Sequence, residues 1–156
     1  MTRTERPLLS LLGWLALCFG VATFAAQFTP GDWYAGLARP PWTPPNWVFA
    51  PVWTALYVMM AIAAWVVWLR RRQHWARPAL IAFVVQLLLN GLWSWLFFGQ
   101  HAVGLALLDI LLLVIVLTIT TGLFFHVSRA AGWLMVPYLL WVLYASTLNA
   151  GIWAMN

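Results

Sequence analysis

The sequence predicts an all-α, polytopic membrane protein built as a five-transmembrane-helix bundle, and three observations predict it. Hydrophobic residues make up 65% of the 156-residue chain and charged residues 7%, against roughly 45–50% and 25% in a soluble domain. Five apolar stretches, at 8–28, 47–69, 78–98, 102–125 and 131–153, have the length of roughly 20 residues that a helix needs to cross the hydrocarbon core. None of them shows the short alternating pattern of a barrel strand. The chain therefore reads as one membrane domain, 1–156, with a single long connection at 29–46.

The first span follows Arg3 and Arg6, as the apolar run of a signal peptide would. It is longer than such a run, and residues 22–26 offer no convincing cleavage site, so a retained helix is expected. Cys18 is the only cysteine and sits inside this span, which excludes an intramolecular disulfide and a cysteine-based metal cluster. With five spans, Arg3, Arg6, Arg70, Arg71, Arg72, Arg77 and Arg129 share one side and Arg39 lies opposite. Arginine accumulates in short cytoplasmic segments. The bias predicts a cytoplasmic N-terminus, and with the hydropathy it predicts the inner membrane of a bacterium. The net charge of +5 is then a topology signal and a contact for anionic lipid heads, and it calls for no nucleic acid.

The connection 29–46 reads TPGDWYAGLARPPWTPPN. Pro30, Pro40, Pro41, Pro44 and Pro45 restrict their own φ and that of their neighbours, so the loop should be stiff. Trp33, Tyr34, Leu37 and Trp42 give it an apolar surface that suits a lid folded over the bundle. The same residues suit an interfacial aromatic belt, and residue types alone do not separate the two. The second span carries Pro51 in its first turns, where a missing N–H is tolerated. Trp53 and Tyr57 follow at a spacing of four, on one face.

In the third span Gln86 and Asn90 are also four apart, and Trp93 and Phe97 continue their stripe. An unpaired amide in hydrocarbon costs several kcal/mol, so this face must look into the bundle, either into an interhelical hydrogen bond or into a ligand. Only Gly99, Gln100 and His101 separate this span from the fourth, which makes the two antiparallel neighbours. The fourth span holds Asp109, the one carboxylate at membrane depth. Such an acid is either a functional group or, as expected where no span offers a basic partner, hydrogen-bonded to a neighbouring helix. The fifth span presents Tyr138, Trp141, Ala145 and Asn149 on one face.

Three spans thus each offer aromatic and polar side chains on the half nearest the loop, which describes either core packing or a pocket for a large flat ligand. Of the thirteen tryptophans, Trp14, Trp65, Trp68, Trp75 and Trp133 suit packing and interfacial anchoring. Trp53, Trp93 and Trp141, capped by a loop bearing Trp33, Trp42 and Trp47, suit the pocket. His74, His101 and His126 fall at or beyond span ends, so the axial ligands of a membrane haem are missing. No metal-ligand spacing, phosphate-binding loop or Ser/His/Asp set is present either.

The motifs RPPWTPPNWVFAPVWTALY (39–57), QLLLNGLWSWLFFG (86–99), GLALLDILLLV (104–114) and VPYLLWVLYASTLN (136–149), with WY at 33–34, resemble the TspO/MBR family of tryptophan-rich sensory and translocator proteins. The resemblance implies a five-helix bundle, often a homodimer, with no covalently bound cofactor and a pocket beneath the first loop for protoporphyrin IX or a related tetrapyrrole. It implies hydrophobic small molecules of the benzodiazepine type as further ligands. Its pocket residues map onto Tyr34, Pro44, Trp53, Tyr57, Gln86, Asn90, Trp93, Trp141 and Ala145. For some relatives it implies light- and oxygen-dependent porphyrin breakdown, in which Trp53 and Trp141 would be the catalytic residues. Cholesterol, a ligand of animal members, is not expected through their proposed motif, because no Lys or Arg follows Tyr144. Porphyrin binding and sensing is the first expectation, photochemical breakdown the alternative and porphyrin transport the third.

Overall fold

The computed structural model describes residues 5–156, with side chains from Pro7 onward; Arg3 and the side chain of Arg6 lie outside the described residues. Five helices are long and apolar enough to cross a membrane: α1 (Glu5–Ala25), α3 (Phe49–Leu69), α4 (Ala76–Ser94), α5 (Val103–Val127) and α6 (Arg129–Met155). A one-turn helix α2 (Asp32–Ala35) and a 3₁₀ turn (Asn46–Val48) interrupt the connection between the first two spans. Pro51 is the third residue of α3 and costs it no hydrogen bond. Among the described arginines, Arg70, Arg71, Arg72, Arg77 and Arg129 lie at the end of the bundle opposite Arg39.

The spans pack in the cyclic order α1, α3, α6, α5, α4, each touching the next and α4 closing on α1. Sequence-adjacent α4, α5 and α6 are neighbours because their connections are so short. Between α5 and α6 the turn is essentially Ser128, whose N–H bonds Phe124 O at 2.8 Å and whose Oγ accepts from Ala131 N. Gly132 then lies under the Phe125 ring, where a Cβ would overlap three ring atoms. Gly132→Ala is expected to lose about 1–3 kcal/mol by overpacking, read as a lower midpoint of unfolding in detergent micelles.

One local feature departs from the regular helix expected in the third span. After Ser94 the chain widens into a π-helical turn, Trp95–Gly99, in which Gln100 N bonds Trp95 O (2.8 Å) and Ala102 N bonds Leu96 O (2.9 Å). The wider turn keeps Trp93, Phe97 and Phe98 together on the inner side, with Phe97 and Phe98 rings 4.9 Å apart. The reversal into α5 places His101 at φ 54°, a left-handed conformation rare for a residue with a Cβ. Its imidazole stacks on Trp33 at 4.1 Å and 12°, a contact that offsets the backbone cost.

Candidate functional site

Between the helices on the loop side lies a cavity of about 510 Å³, within the range of small-molecule sites. Tyr34, Trp53, Tyr57, Asn90, Trp93, Trp141 and Ala145 all line it. Two residues that the resemblance assigned to the pocket do not. Gln86 is fully buried one turn below Asn90, and Pro44 lines a shallow groove on the outer face of the connection.

The connection 29–46 is a lid in part. Tyr34 is buried, with its ring 6.2 Å from Phe97 and 5.6 Å from Phe98, so the π turn is the lid's seat. Arg39 covers the same ring at 5.2 Å. Farther along, Asn156 and Ala38 exchange two hydrogen bonds (3.0 and 2.9 Å), Tyr144 Oη donates to Trp42 O (2.6 Å), and Pro40 packs where Gly151 has no side chain. Trp42 and Trp47 do not face inward as a full cap would require. They are 53% and 75% exposed, which leaves their rings to the surroundings as interfacial anchors.

The cavity floor is a chain of buried polar groups that joins three helices. Tyr57 Oη donates to Asn90 Oδ1, Asn90 Nδ2 donates to the Tyr138 hydroxyl at 2.9 Å, and that hydroxyl donates to Gln86 Oε1 at 2.9 Å. Gln86 Nε2 ends the chain 3.9 Å from Met60 Sδ. A second set lies higher up: Trp93 Nε1 donates to Asn149 Oδ1 (2.9 Å), and Asn149 Nδ2 donates to Val103 O (3.1 Å). These pairings satisfy the amides as membrane depth demands. They engage the Tyr57 hydroxyl, the Trp93 N–H and one of the two amide hydrogens of Asn90.

Trp141 differs. Its ring lies across the cavity wall, 6.5 Å from Trp53 at 89° and 5.9 Å from Phe49, while its Nε1 is buried without a hydrogen-bond partner. A buried orphan donor is costly. The Trp141 side chain borders the cavity, so a rotation of the indole would bring this donor to an acceptor on a ligand.

Asp109 is 7% exposed, and its buried Oδ2 has no hydrogen-bond partner among the described residues, where a bond to a neighbouring helix was expected. It does not line the cavity either. Among the described residues no group of three His, Cys, Asp or Glu is placed to hold a metal.

Part of the wall was not read from the sequence. Phe19, Ala22 and Thr23 of α1 and Ala26 just after it line the cavity, as do Phe49, Ala50 and Thr54 of α3. The signal was the cluster of small residues at the loop end of the first span, with Thr23 among them. A weaker one was the doubled Phe97–Phe98 before a glycine.

A model of the TspO/MBR family matches residues 14–154. The chain is 39% identical to the tryptophan-rich protein TspO of Chlorobaculum tepidum, over 97% of this chain and 99% of that one. It is 38% identical to the tryptophan-rich sensory protein of Cereibacter sphaeroides, over 88% of this chain and 85% of that one. With the translocator protein of Homo sapiens it shares 39% identity, over 84% and 80%. The match begins within α1, takes in the lid and every wall of the cavity, and ends in the last turn of α6: the chain belongs to the TspO/MBR family.

Proposed function

We propose that this protein binds protoporphyrin IX or a closely related tetrapyrrole in the cavity beneath the lid and acts as a membrane sensor that regulates porphyrin levels. The observation that carries the reading is a chamber of about 510 Å³ at membrane depth, walled by Trp53, Trp93, Trp141 and Phe97, in which one buried donor, Trp141 Nε1, has no partner. Flat aromatic walls suit a flat aromatic macrocycle, and an orphan N–H suits a ligand that carries acceptors at its edge. The sensing part of the reading draws on the relative from Cereibacter sphaeroides, which is called a sensory protein.

The test is a titration of the protein in detergent or nanodiscs with protoporphyrin IX, followed by tryptophan fluorescence. Saturable quenching at one ligand per chain is expected, and it should be reversed by an apolar competitor that fills the cavity. Quenching that grows linearly with porphyrin, as partition into lipid would give, rejects the reading.

A second reading has its own observation. Trp53 and Trp141 are edge to face across one wall, within contact of any occupant, and indole is the most readily oxidised apolar side chain in the cavity. That arrangement supports light- and oxygen-dependent breakdown of the bound porphyrin. On illumination in air, wild type should lose the porphyrin absorbance band faster than Trp53→Phe/Trp141→Phe; equal rates reject catalysis. Transport has less support, because Asp109 lies outside the cavity wall.

A further inference from the structure

The bundle leaves one side of the cavity open. Its lining residues on α4, α5 and α6 are buried or half-buried, whereas the exposed ones all fall in two stretches, 23–30 and 46–54. Thr23 and Ala26 at the lid end of α1 face Ala50 and Thr54 in the first turns of α3 across this gap.

The gap follows from the path of α1. At the end far from the lid, α1 lies on both α3 and α4: Trp65 Nε1 donates to Pro7 O at 2.8 Å, and Trp14 meets Trp68 of α3 edge-on at 6.1 Å and Phe83 of α4 at 5.7 Å. Towards the lid it keeps to α4 alone, where Val21 and Phe24 pack over Gly91, and Phe28 just beyond α1 packs over Gly99 of the π turn. The Phe19 and Tyr57 rings, 6.3 Å apart, mark the point of divergence. A helix that keeps one of two partners along its length leaves a wedge beside the partner it quits.

Thr23 and Thr54 both lie within membrane-spanning segments, so the wedge faces lipid. Its rim carries no unsatisfied polar group from either threonine. Thr23 Oγ1 bonds Phe19 O (2.7 Å) and Thr54 Oγ1 bonds Ala50 O (2.8 Å), which leaves methyl groups beside two alanines. The lid, in contrast, is pinned to α6 by the Asn156–Ala38 pair and the Tyr144–Trp42 bond.

We propose that ligands enter and leave the cavity sideways, from the hydrocarbon on the lid-side half of the bilayer, through the wedge between α1 and α3 while the lid stays shut. The ligand class is then a flat, largely apolar solute already dissolved in the membrane. Protoporphyrin IX as the probe rests on the function proposed above, so the test has one arm that does not use it.

In that arm a nitroxide at Thr54→Cys, and separately at Ala50→Cys, is measured in lipid vesicles; native Cys18 is fully buried and stays unlabelled. High collision rates with oxygen and low rates with a water-soluble nickel chelate are expected. Protection from both, or preference for the nickel chelate, overturns the wedge. In the second arm protoporphyrin IX is exchanged between vesicles and two bridged proteins, each closed with a flexible bismaleimide. Bridging Thr23→Cys to Thr54→Cys is expected to slow association and dissociation together, on the order of tenfold, with Kd little changed, as a gate does. Bridging Ala38→Cys to Asn156→Cys is expected to leave both rates as they were. Slowing by the lid bridge alone overturns the proposal. If the unbridged protein does not bind protoporphyrin at all, the functional reading fails, and the spin labels alone decide the wedge.

Discussion

Tyr138→Phe is expected to lower stability by about 2–4 kcal/mol although it removes a single oxygen atom. Tyr138 is fully buried at the centre of the bundle, and its hydroxyl accepts from Asn90 and donates to Gln86. Phenylalanine fills the same space, so no cavity forms and the apolar contacts with Trp53 persist. What remains is an Asn90 N–H and a Gln86 carbonyl, both buried and both unpaired, at about 1–3 kcal/mol each. Interhelical hydrogen bonds in membranes average only about 0.6 kcal/mol, because an unfolded helix in lipid finds other partners. The orphaning of two groups at once is what lifts this substitution above that average. Equilibrium unfolding in mixed micelles measures it. Adding Gln86→Leu should recover part of the loss, since it removes the stranded acceptor; a double variant no more stable than Tyr138→Phe would show that Gln86 was not the group left unpaired.

That polar chain also shows how far the sequence could be read. The four-residue spacing of Gln86 and Asn90 put both amides on one face, and hydrocarbon obliges such a face to look inward. The same rule applied to Tyr138, Trp141 and Asn149 of the last span. Hydropathy therefore carried the five spans and the inward stripes. It could not say that Asn90 borders a cavity while Gln86 lies beneath it, because both satisfy the same burial rule and differ only by one turn of depth. The cyclic order of the helices and the departure of α1 from α3 towards the lid depend on where Gly91 and Gly99 admit the side chains of another helix. No property of the first span alone encodes that match. The π turn is hidden for a similar reason: residues 95–99 fit an α-helix equally well by composition, and the wider turn is set by the abrupt reversal at His101. Asp109 marks the converse limit. Its lack of a basic partner among the spans suggested a hydrogen bond, yet its Oδ2 has none.

Trp141→Phe is expected to divide ligands by chemistry. The substitution keeps an aromatic ring on the wall next to Trp53 and Phe49 and removes a buried N–H of that wall that lacks an internal partner. For a ligand that places a charged acceptor such as a carboxylate on that N–H, the lost bond is worth about 1.5–3 kcal/mol, or roughly tenfold to a hundredfold in Kd. A neutral carbonyl acceptor should lose less, about 0.5–1.5 kcal/mol. An aromatic ligand of the same size with no acceptor should bind the variant as well as the wild type, because it makes no bond to that donor in either. Trp93→Phe makes the instructive comparison. Its Nε1 is already held by Asn149 at 2.9 Å, so its removal strands an acceptor in the wall and should weaken all ligands alike by loosening the site. Quenching titrations with a matched acceptor and non-acceptor pair on the two variants separate these outcomes. Equal losses for both ligands in Trp141→Phe would mean that its indole acts in the cavity as apolar surface alone.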